Sequence, residues 1–380
     1  MTKCNTICTQ SVIQPVTHSV THQKTTEMNA KIINILDNTV LFKSELEKDL
    51  TKGFLIQDAK NTINGNCFNI KPINDWIDEA KNRPIPNMLF DRLWYENETC
   101  ILFADTNLGK SILALQISNA LSKGISIEGF KIEITAQKVL YFDFELSDKQ
   151  VENRYSNQYS EHYVFSPNLL RVEINPDEET PTQFKDFDDY LCFSLEKAIV
   201  EHSTKIIVID NLTYLKTDTE KAKDALPLMK FLNSIKKKYG LSILVLAHTP
   251  KRDASKPLTK NDLSGSKMLM NFCDSCFAIG ESAQETGLRY IKQIKQRNTE
   301  LIYDTQNVIM CKIEKETNFL EFVFVGYENE IDHLKPRNNE DQMNGILDLK
   351  KQGIPNTQIA STLGISEGTV RNWLKKSENQ

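Results

Sequence analysis

Eight consecutive residues have the types and spacing to bind phosphate: Ala104, Asp105, Thr106, Asn107, Leu108, Gly109, Lys110 and Ser111. They fit the loop pattern G-x-x-x-x-G-K-[ST] at every fixed position but the first, where alanine replaces glycine. In such a loop, unpaired N–H groups at a helix N-terminus face anionic oxygens, and the helix dipole adds positive potential. Gly109 would let the backbone approach phosphate, and Lys110 would reach the outer phosphates. The Ser111 hydroxyl would ligate Mg²⁺, so ATP with Mg²⁺ is the ligand set this chemistry serves. Ala104 is the smallest departure from the pattern, although it could alter the turn.

Cleaving a phosphoanhydride also needs carboxylates. The run Lys205-Ile-Ile-Val-Ile-Asp210 is a buried-strand pattern ending in an acid, suited to holding Mg²⁺. The run Val139-Leu-Tyr-Phe-Asp143-Phe-Glu145 ends in two carboxylates that strand alternation puts on one face. Glu145, at the strand end, is the better base for activating water. Either acid could instead cap a helix starting near Ser147. His248 and Thr249 close the strand Leu241–Ala247 and could sense a γ-phosphate, or simply cap. Lys295 and Arg297, two residues apart, face one way on a strand. They could neutralise phosphate charge in a neighbouring subunit, or form a solvated basic edge.

These positions need a scaffold. Strand patterns fall at 99–104, 138–144, 170–174, 205–210 and 241–247, and helical patterns at 111–122, 147–159, 184–202 and 219–239. The alternation predicts an α/β fold whose parallel sheet has crossover helices on both faces. Ligands of such sheets bind beyond the carboxyl ends of the strands, where all of the P-loop, Glu145, Asp210 and His248 fall. From residue 275 onward, short strand patterns at 275–280, 287–293, 306–313 and 319–325 predict an antiparallel extension. The expected domains are an N-terminal arm and small helical region over 1–83, with 1–26 disordered, a core over 84–327, a linker over 328–341, and a tail over 342–380. Helix-like spacing also occurs over 29–60 and 73–81.

In their order, the loop, "YFDFELS", "IVIDN", "LVLAHT" and "KQRN" resemble the RecA-like hexameric ATPase group, in particular its RepA-type and DnaB-type helicase members. The resemblance spans about residues 84–327. It implies a RecA-like P-loop NTPase core, with Glu145 as catalytic glutamate and Asp210 as the Walker B aspartate. His248 would be the sensor, and Lys295 and Arg297 a finger pair reaching across a subunit interface in a homo-oligomer, such as a hexamer. It also implies a DNA-facing loop after the sensor strand, here carrying Lys251, Arg252, Lys256, Lys260 and Lys267. That loop has no aromatic residue, so backbone tracking of a single strand is the expectation rather than base stacking. A helicase or helicase loader of a plasmid or other mobile element is the implied role. An ATP-controlled DNA-binding switch is the alternative.

The tail reads as three short helices, at 345–352, 357–363 and 367–376. Ala360, Gly364 and Ser366 supply close packing, the turn and a cap, in helix-turn-helix form. It resembles the tails of resolvases and bacterial regulators, with Glu367, Thr369, Arg371 and Asn372 placed to meet duplex DNA. A net charge of −5 argues against a uniformly basic nucleic-acid coat, but residues 250–267 and 345–380 are locally basic. No run of 18 apolar residues occurs, and the first 26 residues have no apolar signal-peptide segment. Eight cysteines in 380 residues do not make a disulfide scaffold. Together these features lead us to expect a cytoplasmic protein without a membrane partner. The pair Cys273 and Cys276 enters an apolar strand and reads as buried thiols rather than a metal site.

Overall fold

A computed structural model describes residues 68–211, 225–249, 252–263, 266–335, 339–363 and 365–378. The expected disorder of 1–26, the helical spacing of 29–60, and the positions Lys251 and Gly364 lie outside these residues, as does the side chain of Lys267. The chain divides into two compact units at residue 80. The described residues of the first, 68–80, include all but the last residue of helix α1 (Ile73–Lys81). Asp75 in its first turn and Lys81 in its last complement the helix dipole.

In the second unit a nine-stranded sheet dominates. Its strands are β3 (Thr99–Ala104), β4 (Val139–Asp143), β7 (Leu169–Val172), β8 (Ile206–Asp210), β9 (Ser242–His248), β10 (Ser275–Glu281), β11 (Leu288–Lys295), β12 (Val308–Glu314) and β13 (Glu321–Glu328). Two small hairpins lie outside it: β1 (Met88–Phe90) with β2 (Trp94–Tyr95), and β5 (Ser156–Asn157) with β6 (Glu161–His162). The order across the sheet is β13-β12-β11-β10-β3-β9-β8-β4-β7. The strands from β10 to β7 are parallel, and β11 to β13 are antiparallel. The antiparallel extension therefore begins one strand later than expected. β10 pairs parallel with β3, Cys276 opposite Ile101, because α6 (Ser266–Phe272) returns the chain to the amino edge first.

The parallel strands are apolar at nearly every position because both faces are covered. In β3, Cys100, Leu102 and Ala104 pack toward α2 (Lys110–Lys123), whereas Ile101 and Phe103 pack toward α4 (Phe187–His202) and α5 (Ala225–Tyr239). The helix expected over 147–159 is shorter: α3 (Asp148–Arg154) stops where Tyr155 turns its ring into the core and the β5–β6 hairpin begins.

The expected linker from residue 328 is also corrected. Glu330–His333 form a 3-10 turn with Glu330 and His333 fully buried. Lys292 on β11 reaches Glu330, and the other Glu330 oxygen accepts the Leu258 N–H at 2.6 Å. A charge pair that satisfies a buried backbone donor belongs to a packed core, not to a tether. Beyond it, α7 (Asn339–Lys351), α8 (Asn356–Leu363) and α9 (Glu367–Glu378) enclose a small core of their own around Ile346, Ile359, Ala360 and Val370. The Ser366 hydroxyl accepts the Thr369 N–H at 3.1 Å and caps α9 as its sequence predicts. Among the described residues no helix is long and apolar enough to cross a membrane.

Candidate nucleotide-hydrolysis site

The eight-residue loop joins β3 to α2. Ala104 is its last strand residue, opposite His248 on one side and Ile279 on the other. Its backbone is extended and ladder-bonded, so nothing there demands glycine. Position 109 is different. Gly109 has φ +93°, and an added Cβ would lie 2.8 Å from Ile313 and 2.9 Å from the Phe322 ring. The antiparallel strands thus press directly on the loop. They also grip α2: the Gln116 amide exchanges hydrogen bonds of 2.9–3.0 Å with the backbone of Phe322. Lys110 is buried, and its ammonium donates to the Ala104 and Asp105 carbonyls at 3.0 Å each. Burial lowers its pKa, opposed by the charges of Asp210, Glu145 and Asp105.

Asp210 ends β8, two strands from β3, because β9 is inserted between them. Tyr141 donates to its Oδ2 at 2.7 Å, while Oδ1 is buried without a hydrogen-bond partner. Burial raises the carboxyl to about pH 6, against the lowering effect of the nearby Ser111 and Tyr141 hydroxyls. An orphaned hard oxygen beside the Ser111 hydroxyl suits Mg²⁺, which keeps several waters and binds substrate phosphates rather than an all-protein cage. No cluster of three or more His, Cys, Asp or Glu able to hold a metal occurs among the described residues. Ser111 and Asp210 would hold the ion.

The two acids of β4 separate. The strand ends at Asp143, and the chain then turns, so Glu145 does not continue the strand face expected from alternation. Asp143 is buried and accepts backbone N–H groups from Glu145 and Leu146. Glu145 instead lines a cleft of about 340 Å³ together with Thr106, Lys110, Ser111, Arg154 and His248. Its Oε1 lies 3.4 Å from His248 Nε2, and the hydrogen bond to His248 holds the carboxyl below its ordinary value despite partial burial. Asn211 joins this pair, donating its amide to Glu145 and meeting His248 Nε2 at 3.0 Å. Asn211, which bonds Glu145, and Arg154, which lines the cleft, are polar residues that the sequence reading did not assign. Asn211 had a signal in its place directly after Asp210; Arg154 had none, since only the end of α3 brings it to the cleft.

Lys295 and Arg297 are not in this cleft. Lys295 opposes Cys276 at the amino end of β10 and bonds to the carbonyls of Met270 and Cys273. Arg297 pairs with Asp274 at 2.9 Å, and Asp274 in turn accepts the N–H of Thr99, the first residue of β3. The six-residue β3 separates that corner from the loop by roughly 20 Å. Within one chain the pair cannot reach the phosphates it would serve. Cys273 and Cys276 are both buried at this corner, as expected.

Of the basic loop, Lys256 and Lys260 face outward, with Lys260 in a 3-10 turn capped by Thr259. Arg252 is a correction: its guanidinium turns inward to the Lys256 carbonyl and to Tyr290, because Leu258 anchors the loop in the core and closes it on itself. In the tail, Arg371 and Asn372 are exposed. Glu367 pairs with Arg371 at 2.7 Å, and Thr369 shares in the Ser366 cap.

Residues 68–254 match the AAA domain family model, and residues 343–380 match the homeodomain-like domain model. Along the chain, a segment similar to an AAA domain is thus followed by one similar to a homeodomain-like domain. The first match includes the P-loop, Glu145, Asp210 and His248, and ends before β10. A KaiC-like protein of the archaeon Pyrococcus horikoshii is a structural relative at 14% identity and a TM-score of 0.42, over 60% of this chain and 91% of that one. No curated protein sequence matches. The described residues have a mixed α/β fold around a mainly parallel sheet, ending in short helices within the homeodomain-like match.

Proposed function

We propose that the protein hydrolyses ATP on DNA as an assembly of identical subunits, in the manner of a RepA-type helicase or helicase loader from a mobile element. The observation that carries this reading is the convergence of Lys110, Ser111, Glu145 and His248 on one cleft, with the unpaired Asp210 oxygen beside it. Lys110 would leave its loop carbonyls for the outer phosphates. Mg²⁺, when bound at Ser111 and Asp210, would offset negative charge on the phosphates. Glu145, ionised at neutral pH, would take a proton from the attacking water, and Asn211 and His248 would fix its carboxylate. Lys295 and Arg297 would complete a neighbour's site, since their own lies at the far end of the sheet. Lys256 and Lys260 would track single-stranded DNA, and the tail would hold duplex DNA through Arg371 and Asn372.

One observation favours a second reading, an ATP-controlled assembly switch. The described part of the basic loop is tied down by Leu258, Glu330 and Arg252, which leaves less freedom for a moving DNA contact. Steady-state hydrolysis with and without single-stranded DNA separates the two. A helicase-type motor is stimulated by the strand, and Glu145→Gln lowers its turnover by about 10²-fold or more with ATP binding kept. Slow turnover indifferent to single strands supports the switch. Full activity in Glu145→Gln would reject the catalytic assignment.

A further inference from the structure

The turn that carries Glu145 is held from outside the nucleotide cleft, by the edge strand β7. Asp143 Oδ1 accepts the N–H of Glu145 at 3.2 Å and of Leu146 at 3.0 Å. Its Oδ2 accepts from Arg171 Nε at 2.9 Å. The same guanidinium donates through Nη2 to the Leu146 carbonyl at 2.5 Å and through Nη1 to the Asp148 carboxylate at 2.6 Å. One planar fork therefore binds the chain at 143, 146 and 148, on both sides of position 145.

Packing does not explain this device. A cavity of about 140 Å³ lies beside the turn, lined by Leu115, Leu146, Val151 and Phe165 as well as by Asp143 and Arg171. On that side the turn borders open space, and the polar fork ties it across the gap. Asp143 is buried, and a buried carboxylate is costly unless its partners are complete. Here they are complete: two N–H groups and a guanidinium. The register adds a second link. Arg171 sits opposite Tyr141, whose hydroxyl bonds the metal-side acid Asp210. Arg171 thus lies one strand over from the tyrosine that bonds the second acid.

We infer that Arg171, acting through Asp143 and the Leu146 carbonyl, is a positioning residue that aims Glu145 at the attacking water. The inference rests on the hydrolytic reading above. A shift of about 1 Å in a reacting group can cost up to about 10²-fold in rate, and the fork controls a shift of that size without touching nucleotide.

The test is Arg171→Ala in the full chain, with steady-state hydrolysis and the affinity for a fluorescent ATP analogue measured together. The expected result is a fall in kcat of roughly 10- to 100-fold, with KM and analogue affinity within about twofold of wild type. Arg171→Lys should recover part of the loss, because an ammonium can hold Asp143 but cannot span to Leu146. Arg171→Ala combined with Glu145→Gln should be no slower than Glu145→Gln alone, since no base is left to aim. Wild-type turnover in Arg171→Ala, a parallel loss of ATP affinity, or additive effects in the double variant would each overturn the inference. If Arg171→Ala fails to fold, Arg171→Lys carries the same test through its ratio of kcat to KM loss. An inactive Glu145→Gln beside a fully active Arg171→Ala defeats only this inference; an active Glu145→Gln defeats the hydrolytic reading as well.

Discussion

The two ends of the central sheet are made by the same apolar strands, yet they treat charge in opposite ways. At the carboxyl end, polar groups are left open toward a cleft. Asp210 Oδ1 and His248 Nδ1 are buried with no hydrogen-bond partner, and Lys110 is held only by loop carbonyls. At the amino end, the acids Asp274 and Glu98 sit in closed networks. Lys236 and Arg297 both meet Asp274, and the Glu98 carboxylate takes Ser275, Asn298 and the Tyr95 N–H. Although burial pushes Asp274 upward, Lys236 and the Thr99 N–H hold it below the usual carboxylate range. Orphaned buried groups are expensive, so they persist where a ligand would satisfy them; closed networks need none. Unpaired buried groups thus mark one end, while at the other Lys295 and Arg297 are bonded within their own chain.

The sharpest way to break this comparison is to test whether these two cations serve another subunit. Arg297→Ala should bind ATP normally but hydrolyse it about 10³-fold more slowly in the assembly. Mixing it with Lys110→Ala should restore part of the activity, because each subunit supplies what the other lacks. Absence of rescue would count against a finger acting between subunits.

A second effect follows from the open end. Asp210 must be ionised to hold Mg²⁺, and it titrates at about pH 6. The ratio kcat/KM should therefore fall about tenfold per pH unit below that value, as a pH profile would register. A profile flat down to pH 5 would remove Asp210 from the metal site.

A third concerns stability. The folded carboxyl binds its proton more tightly than the unfolded one, whose ordinary value is near 3.8. Folding stability from this group is thus full below about pH 4 and declines as pH rises to about 6. Asp210→Asn should be more stable than wild type by roughly 2–3 kcal/mol at pH 7.5, with the gain vanishing toward pH 4. Nucleotide-free thermal melts at the two pH values check this.

The smallest expected effect separates outward from inward cations in the basic loop. Lys260→Ala should reduce the salt dependence of single-strand binding by about 0.7 in the log–log slope, one phosphate contact. Arg252→Ala should leave that slope unchanged, because its guanidinium is spent on Lys256 and Tyr290.

Much of this was legible along the chain because local chemistry dictated it. A strand, a glycine in the left-handed region and a lysine opening a helix make a phosphate loop wherever they occur in that order. Acids directly after apolar runs must emerge at strand ends. Ala360, Ser366 and Val370 specify a small helical tail by spacing alone. What adjacency could not supply came from residues far apart. Whether Asp143 or Glu145 reaches the cleft was not readable from alternation: Arg171, 28 positions from Asp143, bonds the first acid, and the second lines the cleft. The need for glycine at 109 depended on Ile313 and Phe322, some two hundred positions on. The inward turn of Arg252 depended on Leu258 and Tyr290, and the false linker at Glu330 on Lys292. Periodicity reports which residues are buried; only the packed structure decides which partner each buried charge finds, because that choice is made by strand order and register rather than by neighbours in sequence.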